Sequence, residues 1–412
     1  MLNLFKIAAR NLLRYKRRTL LTLSLIVLGV VFVVVFIAVT GSFKAMMIGQ
    51  ITDSFVGHIQ IHRKGYLASI ETLPLTLNLK PNAVEKVEHL LQETAGIEAY
   101  SPRIKFSGMF SNFAETSNIR LNGVFPEKEV AAMPLFLSRI KEGNGNLKTG
   151  EILIPELLAR GLKVKVGDAV VVIATNKDGS VNGKQFTVSG IIESATGPGG
   201  RDGYIHIEDA MEVLRMDEME ISEIAVRVKD FNRLQSVYAS LEGVLSREMN
   251  KMGKPIFEVH AWQKLTPFYN IARMIDVMTL FIKLMLIAIV LISIMNVMIM
   301  AVYERVREIG TMAAIGTLPG KILSLFVVEG FGLGLMGAVS GSLISVAVIY
   351  IINLSKITFD FGQQKGMLLS AGISIDELLI LSGIVIVVSI LASLQPAIKA
   401  SRMDPIKALG HI

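Results

Sequence analysis

The sequence predicts a membrane α-helical protein, with four transmembrane helices and a large α+β extracytoplasmic domain inserted between helices 1 and 2. Three observations predict it. The 412 residues are 51% hydrophobic and 19% charged, with a mean hydropathy of +0.53, more apolar than one soluble domain requires. The apolar excess is concentrated in the stretches 20–39, 284–302, 322–352 and 378–394, each long enough to cross the hydrocarbon core as a helix. Finally, 27 of the 42 basic and 27 of the 35 acidic residues lie between Gly41 and Arg273, so the long segment after the first stretch is neutral and large enough for a core of its own.

Each element follows in chain order. Residues 1–19 form a basic amphipathic helix, with Phe5, Ala8, Ala9 and Leu12 on one face, Lys6, Arg10, Arg14 and Arg17 on another, and Ile7 off the apolar side. That pattern suits a helix lying on an anionic leaflet. The first span, 20–42, has an apolar run of about 20 residues, longer than the roughly 7 to 15 of a cleaved signal core, and reads as a permanent anchor. Residues 43–273 are the external domain. There 58–62 alternates as a strand, and 82–94 has helical spacing with Val84, Val87, Leu90 and Leu91 on one face. Strands are expected at 151–155, 169–174, 185–192 and 224–228, with turns at Asp178-Gly179 and Asn182-Gly183. The stretch 167–192 reads as a small β-rich lobe within the larger domain, 231–250 as a helix, and a helix starting near Gln263 as running straight into the second span. The remaining elements are span 274–302, loop 303–321, span 322–352, a short external loop 353–377, span 378–395 and tail 396–412. Internal repeats and low-complexity tracts are absent from the sequence.

Charge sets the orientation. Of the 15 basic residues outside the external domain, twelve fall before the first span, between Tyr303 and Lys321, or in the tail. With four spans those segments share one face of the bilayer, and the basic excess makes it cytoplasmic. Both termini are then inside and the large domain is outside, the periplasm of a bacterium with two membranes. A neutral external domain offers no phosphate footprint, so nucleic acid is not an expected partner.

Chemical motifs are largely missing. Zero cysteines exclude thiolate catalysis and Cys-ligated zinc or iron–sulfur clusters. His-Glu-x-x-His and Gly-x-Ser-x-Gly do not occur. His58, His62, His89, His206, His260 and His411 form no familiar ligand pair; His58 and His62 share a strand face expected to be solvated, and no metal site is expected. Gly316-Thr-Leu-Pro-Gly320-Lys321-Ile322 is one residue short of a phosphate-binding loop and lacks the hydroxyl after lysine. Gly197–Gly203 reads as a surface loop. The chain is not expected to be an enzyme, nor to hold a cofactor.

The informative segment is Tyr303-Glu-Arg-Val-Arg-Glu-Ile-Gly-Thr-Met-Ala-Ala-Ile-Gly316. Glu304, Arg305, Arg307 and Glu308 precede the apolar Met312 and Ile315, and Gly316 stops the helix. A short amphipathic helix in a cytoplasmic loop suits docking in a groove of another protein. This segment, PAIKASRMDPIKAL near the C-terminus and ARNLLRYKRRTLLTLSLIVLG near the N-terminus resemble the MacB/FtsX-type permeases of ABC transporters, as does the four-span layout. The resemblance implies a MacB-like periplasmic domain, and a loop that is the coupling helix to two copies of a separate ATPase, which binds the ATP and magnesium. It assigns that role to Glu304, Arg305, Arg307, Glu308, Met312, Ile315 and Gly316. It also implies a second permease, identical or homologous, and a domain that turns ATP-driven closure into a mechanical stroke. The layout, with no fused ATPase and a domain larger than that of FtsX, is similar to the lipoprotein-releasing, LolC/LolE-like permeases of the inner membrane, which implies a periplasmic lipoprotein carrier or adaptor. Efflux of small molecules or peptides, and FtsX-like signalling to an envelope hydrolase, stay open.

Inside the membrane, Gly330, Gly334, Gly337 and Gly341 form a stripe on the third span, with Ser345 following. It is expected to pack against a neighbouring span, within the chain or across a permease dimer. Lys283 is expected to snorkel toward lipid headgroups, Asn296 to hydrogen-bond across helices, and Glu329 to couple spans.

Overall fold

The structure, a computed structural model, describes residues 6–8, 10–11, 14, 16–194, 201–361 and 364–405. Phe5, Ala9, Leu12, much of the 197–203 loop and the tail beyond Pro405 lie outside the described residues. The chain forms two compact units: Met1–Ala45, Arg273–Thr358 and Leu368–Ile412 in one, Met46–Ala272 and Phe359–Met367 in the other.

In the first unit, four helices are long and apolar enough to cross a membrane. They belong to Lys16–Ile51, Phe268–Glu304, Pro319–Leu354 and Ile375–Ser401. Each extends past the expected span; 36 residues rise about 54 Å, against about 30 Å of hydrocarbon. Local chemistry sets several ends. Pro319 opens the third span in its first turn, after an extended Leu318. Ser374 caps the fourth, its hydroxyl accepting from Glu377 N at 3.1 Å. The fourth helix continues through buried Pro396 to Ser401 rather than ending at 395, as membrane helices often tolerate proline when neighbours cover the freed carbonyl.

A dry interior of Ile26, Val30, Val34, Leu286, Val290, Ile294, Phe326, Leu333 and Val385 fills the space between the spans. The glycine stripe faces two neighbours of its own chain. A Cβ added at Gly330 would lie 2.5 Å from Ser393 Cβ, and one at Gly334 2.4 Å from Ser389 Oγ, both on the fourth span. Added Cβ atoms at Gly337 and Gly341 would reach Ile26 Cγ2 at 2.4 Å and Val30 Cβ at 2.8 Å on the first. The facing serines do not need partners across the gap, because Ser389 Oγ donates to Val385 O at 2.6 Å and Ser393 Oγ to Ile390 O at 2.7 Å. Gly334→Ala is therefore expected to lower the stability of the detergent-solubilised chain by about 1–3 kcal/mol. Gly383→Ala, at a helical glycine with open space around it, should be neutral. Thermal melts that do not separate the two variants would contradict this packing.

The second unit is α+β. Its strands are β1 (Ile59–Arg63), β2 (Ile97–Ser111), β3 (Thr116–Val124), β4 (Ile140–Gly143), β5 (Glu151–Pro155), β6 (Ala169–Thr175), β7 (Val181–Ile192), β8 (Asp202–His206), β9 (Glu223–Val228) and β10 (Phe257–Ala261). They form one sheet in the order β10-β1-β9-β2-β3-β8-β5-β7-β4, with β6 pairing both β2 and β7. The β3–β8 and β5–β7 pairs are parallel and the rest antiparallel. Helix Pro81–Glu93 buries Val84, Val87 and Leu91, the face its spacing predicts. Met47 and Ile51, the last turns of the first long helix, belong to this unit's core. A separate two-stranded sheet pairs Thr358–Phe361 with Gln364–Leu368, between the third and fourth spans in sequence.

Several expectations are corrected. The 167–192 stretch is β-rich, as expected, but is continuous with the main sheet, because β6 pairs with β2 as well as with β7. Asn182 and Gly183 sit inside β7, opposite Ala174 and Ile173; the turn is at Asp178-Gly179, where Gly179 has φ +86° and Ser180 N donates to Asp178 Oδ1. The helix expected over 231–250 is α-helical only over Leu234–Leu245, since Asn250 and Gly253 form a turn beyond it. The helix expected to start near Gln263 and run straight into the second span begins at Phe268, because Trp262–Leu265 is one turn and Thr266 is extended, as a residue before proline prefers. His58 and His62 are buried, not solvated, because β1 lies between β9 and β10 and both faces of the sheet are covered there.

At the centre of this sheet Arg103 is fully buried between two acids. Its Nε and Nη2 donate to the two Glu129 oxygens at 3.0 and 2.7 Å, and its Nη1 to Glu223 Oε1 at 2.9 Å and Phe55 O at 2.7 Å. Ser101 Oγ also donates to Glu129, at 2.7 Å, and Lys105 Nζ lies 3.2 Å from Glu223. Burial alone would raise the Glu223 carboxyl, but the Lys105 charge, the nearby His62 ring and the Arg103 charge hold it well below the usual carboxylate range.

Candidate coupling site

The loop after the second span contains a separate helix, Val306–Ala314. The long helix breaks at Arg305, whose φ of −110° and ψ of 14° are not helical. The loop helix ends at Gly316 with φ +89°, a left-handed position that glycine occupies without strain. There Gly316 N donates to Ala313 O and Thr317 N to Met312 O, both at 3.0 Å, satisfying carbonyls at the helix end.

The helix has two faces. Ile309 and Gly310 are buried, and Met312 and Ala313 pack half-buried against the core of the spans. Glu304, Arg307, Glu308, Thr311, Ala314 and Gly316 are exposed, with Ile315 at 77% and Leu318 at 63%. Two apolar side chains so far from cover, beside a basic and an acidic group, form a patch a partner could bury.

Arg305 and Met312 are corrected as members of that outward surface, because both turn inward. Arg305 is 3% exposed, and its Nη1 donates to Glu329 Oε1 at 2.8 Å. Glu329, buried in the third span, also accepts from Asn11 Nδ2 at 2.7 Å on the same oxygen. An intramembrane carboxylate is thus matched by a cation and an amide, the arrangement that makes such burial tolerable. Nearby, Arg14 Nη1 lies 3.2 Å from Glu308 Oε1, and Lys399 Nζ donates to Tyr303 Oη at 2.6 Å. The N-terminal helical residues, the loop, the third span and the end of the fourth are therefore joined around one helix. Asn11 was missed in the sequence, where it reads only as a polar residue in a basic segment.

The other intramembrane polar residues lie elsewhere. Lys283 is half-buried and Asn296 is exposed on the outer side of its helix. Lys44 donates to Asp276 at 2.5 Å, joining the first and second long helices.

Comparison with known proteins agrees with this architecture. Residues 19–244 match the family of the MacB-like periplasmic core domain, and residues 280–405 match the FtsX-like permease C-terminal family, which contains the loop helix and the last two spans. The chain belongs to the MacB-like family, and it is an ABC transporter permease of the LolC/MacB type. It is similar to the lipoprotein-releasing system transmembrane protein LolC of Neisseria meningitidis serogroup B, 24% identical over 95% of this chain and 94% of that one. The macrolide export ATP-binding/permease protein MacB of Bdellovibrio bacteriovorus is 24% identical over 80% of this chain, which spans about half of it, 49%. Among solved structures, the periplasmic region of MacB from Actinobacillus actinomycetemcomitans covers 52% of this chain and 91% of its own, with 15% identity and a TM-score of 0.35.

Proposed function

We propose that this chain is the permease subunit through which a separate ATPase drives the release or export of lipoproteins from a bacterial inner membrane. Its termini and loop helix are cytoplasmic, as the basic residues around the spans favour. Two ATPase copies and a second permease complete the transporter, and a periplasmic carrier receives the cargo. The ATPase holds ATP and magnesium; this chain contributes motion. Lipoprotein cargo is taken from the similarity to LolC, which runs nearly end to end in both chains; the MacB relatives support the alternative of export of small molecules.

The observation that carries the reading is the two-faced loop helix. One face is fixed to the spans through Arg305, Ile309 and Met312, and the other presents Arg307, Glu308, Ile315 and Leu318 to solvent. A push on the outer face is transmitted to Glu329 and hence to the third span through a hydrogen-bonded ion pair. Ile315→Asp and Leu318→Asp place a charge on exposed positions and should leave folding unchanged while abolishing co-purification of the ATPase. Undiminished association of both variants would refute the docking role.

A further inference from the structure

We propose that His62, Glu258 and His260 form a binding site for a divalent transition metal ion of the zinc class in the external domain. The antiparallel register of β1 and β10 sets His62 opposite Glu258 and Gln60 opposite His260. Because side chains alternate along a strand, all three project from one face of the sheet. One nitrogen from each imidazole and one carboxylate oxygen lie within 4.8 Å of one another.

The second observation is the state of the imidazoles. His62 is 0% exposed, and neither of its ring nitrogens, nor either of His260's, has a hydrogen-bond partner among the described residues. His62 Nε2 is 3.7 Å from Glu223 Oε2 and His260 Nε2 is 3.6 Å from Glu258 Oε2, both beyond hydrogen-bond reach. Buried polar groups are ordinarily paired, and an unpaired cluster points to an ion. The surroundings are organised as a ligand shell requires. His62 stacks on the fully buried Tyr66, with ring centroids 5.2 Å apart and an interplanar angle of 13°. Leu67 N donates to Glu258 Oε1 at 2.8 Å, which fixes the carboxylate.

Two imidazoles and a carboxylate are a recognised zinc ligand set that leaves a fourth position for water. Bonds of about 2.0–2.2 Å require the ligand atoms to draw together by about an ångström, within reach of small side-chain rotations. The exposed Lys64, whose Nζ is 3.9 Å from Glu258 Oε2, is the competing cation and must swing outward. A bound ion would cross-link the first and last strands of the domain, those by which the chain enters and leaves it.

The test uses the full chain, purified in detergent without a histidine tag and stripped with a chelator. Zinc alone is added and bound metal is measured by elemental analysis and calorimetry. One equivalent is expected, with a raised melting temperature; Glu258→Gln and His260→Ala should each weaken binding by at least about tenfold, and His89→Ala at an exposed position should not. Cobalt(II) added to the unaltered chain should give the visible absorption of a four-coordinate site, a readout that needs no variant. Absence of zinc and cobalt binding, or binding that both ligand variants leave unchanged, would overturn the proposal.

Discussion

Arg305→Leu is expected to destabilise the solubilised chain by about 3–5 kcal/mol and to abolish ATP-driven transport. The substitution leaves Glu329, buried in the third span, with Asn11 as its remaining partner among the described residues, and an uncompensated charge at that depth is among the costliest defects a helix bundle can carry. The double variant Arg305→Leu/Glu329→Leu removes both charges and should recover most of the stability, since an apolar pair of similar volume fills the space as well. Transport should stay lost, because the hydrogen-bonded link between loop helix and third span is gone. The four proteins of this cycle separate the two effects: melting temperatures report stability, and transport reports coupling. An Arg305→Leu chain that melts with its parent would show that the pair is not what holds the loop helix. A double variant that transports normally would show that the pair is not the route of motion.

Arg103→Met is expected to cost the external domain a similar 3–5 kcal/mol. Lys105 stays beside Glu223, so among the described residues Glu129 is the acid left without a cation, with Ser101 as its remaining partner. The pH dependence follows from sign. Glu223 is held below its ordinary value of 4.5 in the folded chain, so its stabilisation is complete above that value and is lost as pH falls from there toward the folded value. The gap in melting temperature between parent and Arg103→Met should therefore narrow below about pH 4.5. A gap that stays constant on acidification would contradict the role given to these charges.

The spans were legible because a run of apolar residues about 30 Å long has one stable solution in a bilayer. Helix Pro81–Glu93 was legible because its apolar residues recur at helical spacing. Sheet order was not, since β2 pairs with β9 and β6 through contacts distant in sequence. His62 shows the same limit from another side: alternation in 58–62 marks a strand, but only the neighbouring β9 and β10 decide that neither face meets water. At the coupling site, the charged-then-apolar order of 303–316 marked the loop helix but not which of its residues face outward. The inward turn of Arg305 was hidden because its partner Glu329 lies 24 residues onward, and Asn11, which shares that partner, 318 residues from it. The glycine stripe was readable as a stripe, while its partners Ile26, Val30, Ser389 and Ser393 depended on how the spans assemble.

The central claim is that an external motor acts on the loop helix in one compartment while the α+β domain works in the other. The chain contains no cysteine, so single cysteines can be introduced at Ile315, 77% exposed, and at Met252, 83% exposed. A membrane-impermeant maleimide applied to intact cells should label Met252→Cys and spare Ile315→Cys until the inner membrane is permeabilised. Labelling of both positions in intact cells, or of neither before permeabilisation, would place the loop helix and the domain on the same side and contradict the account.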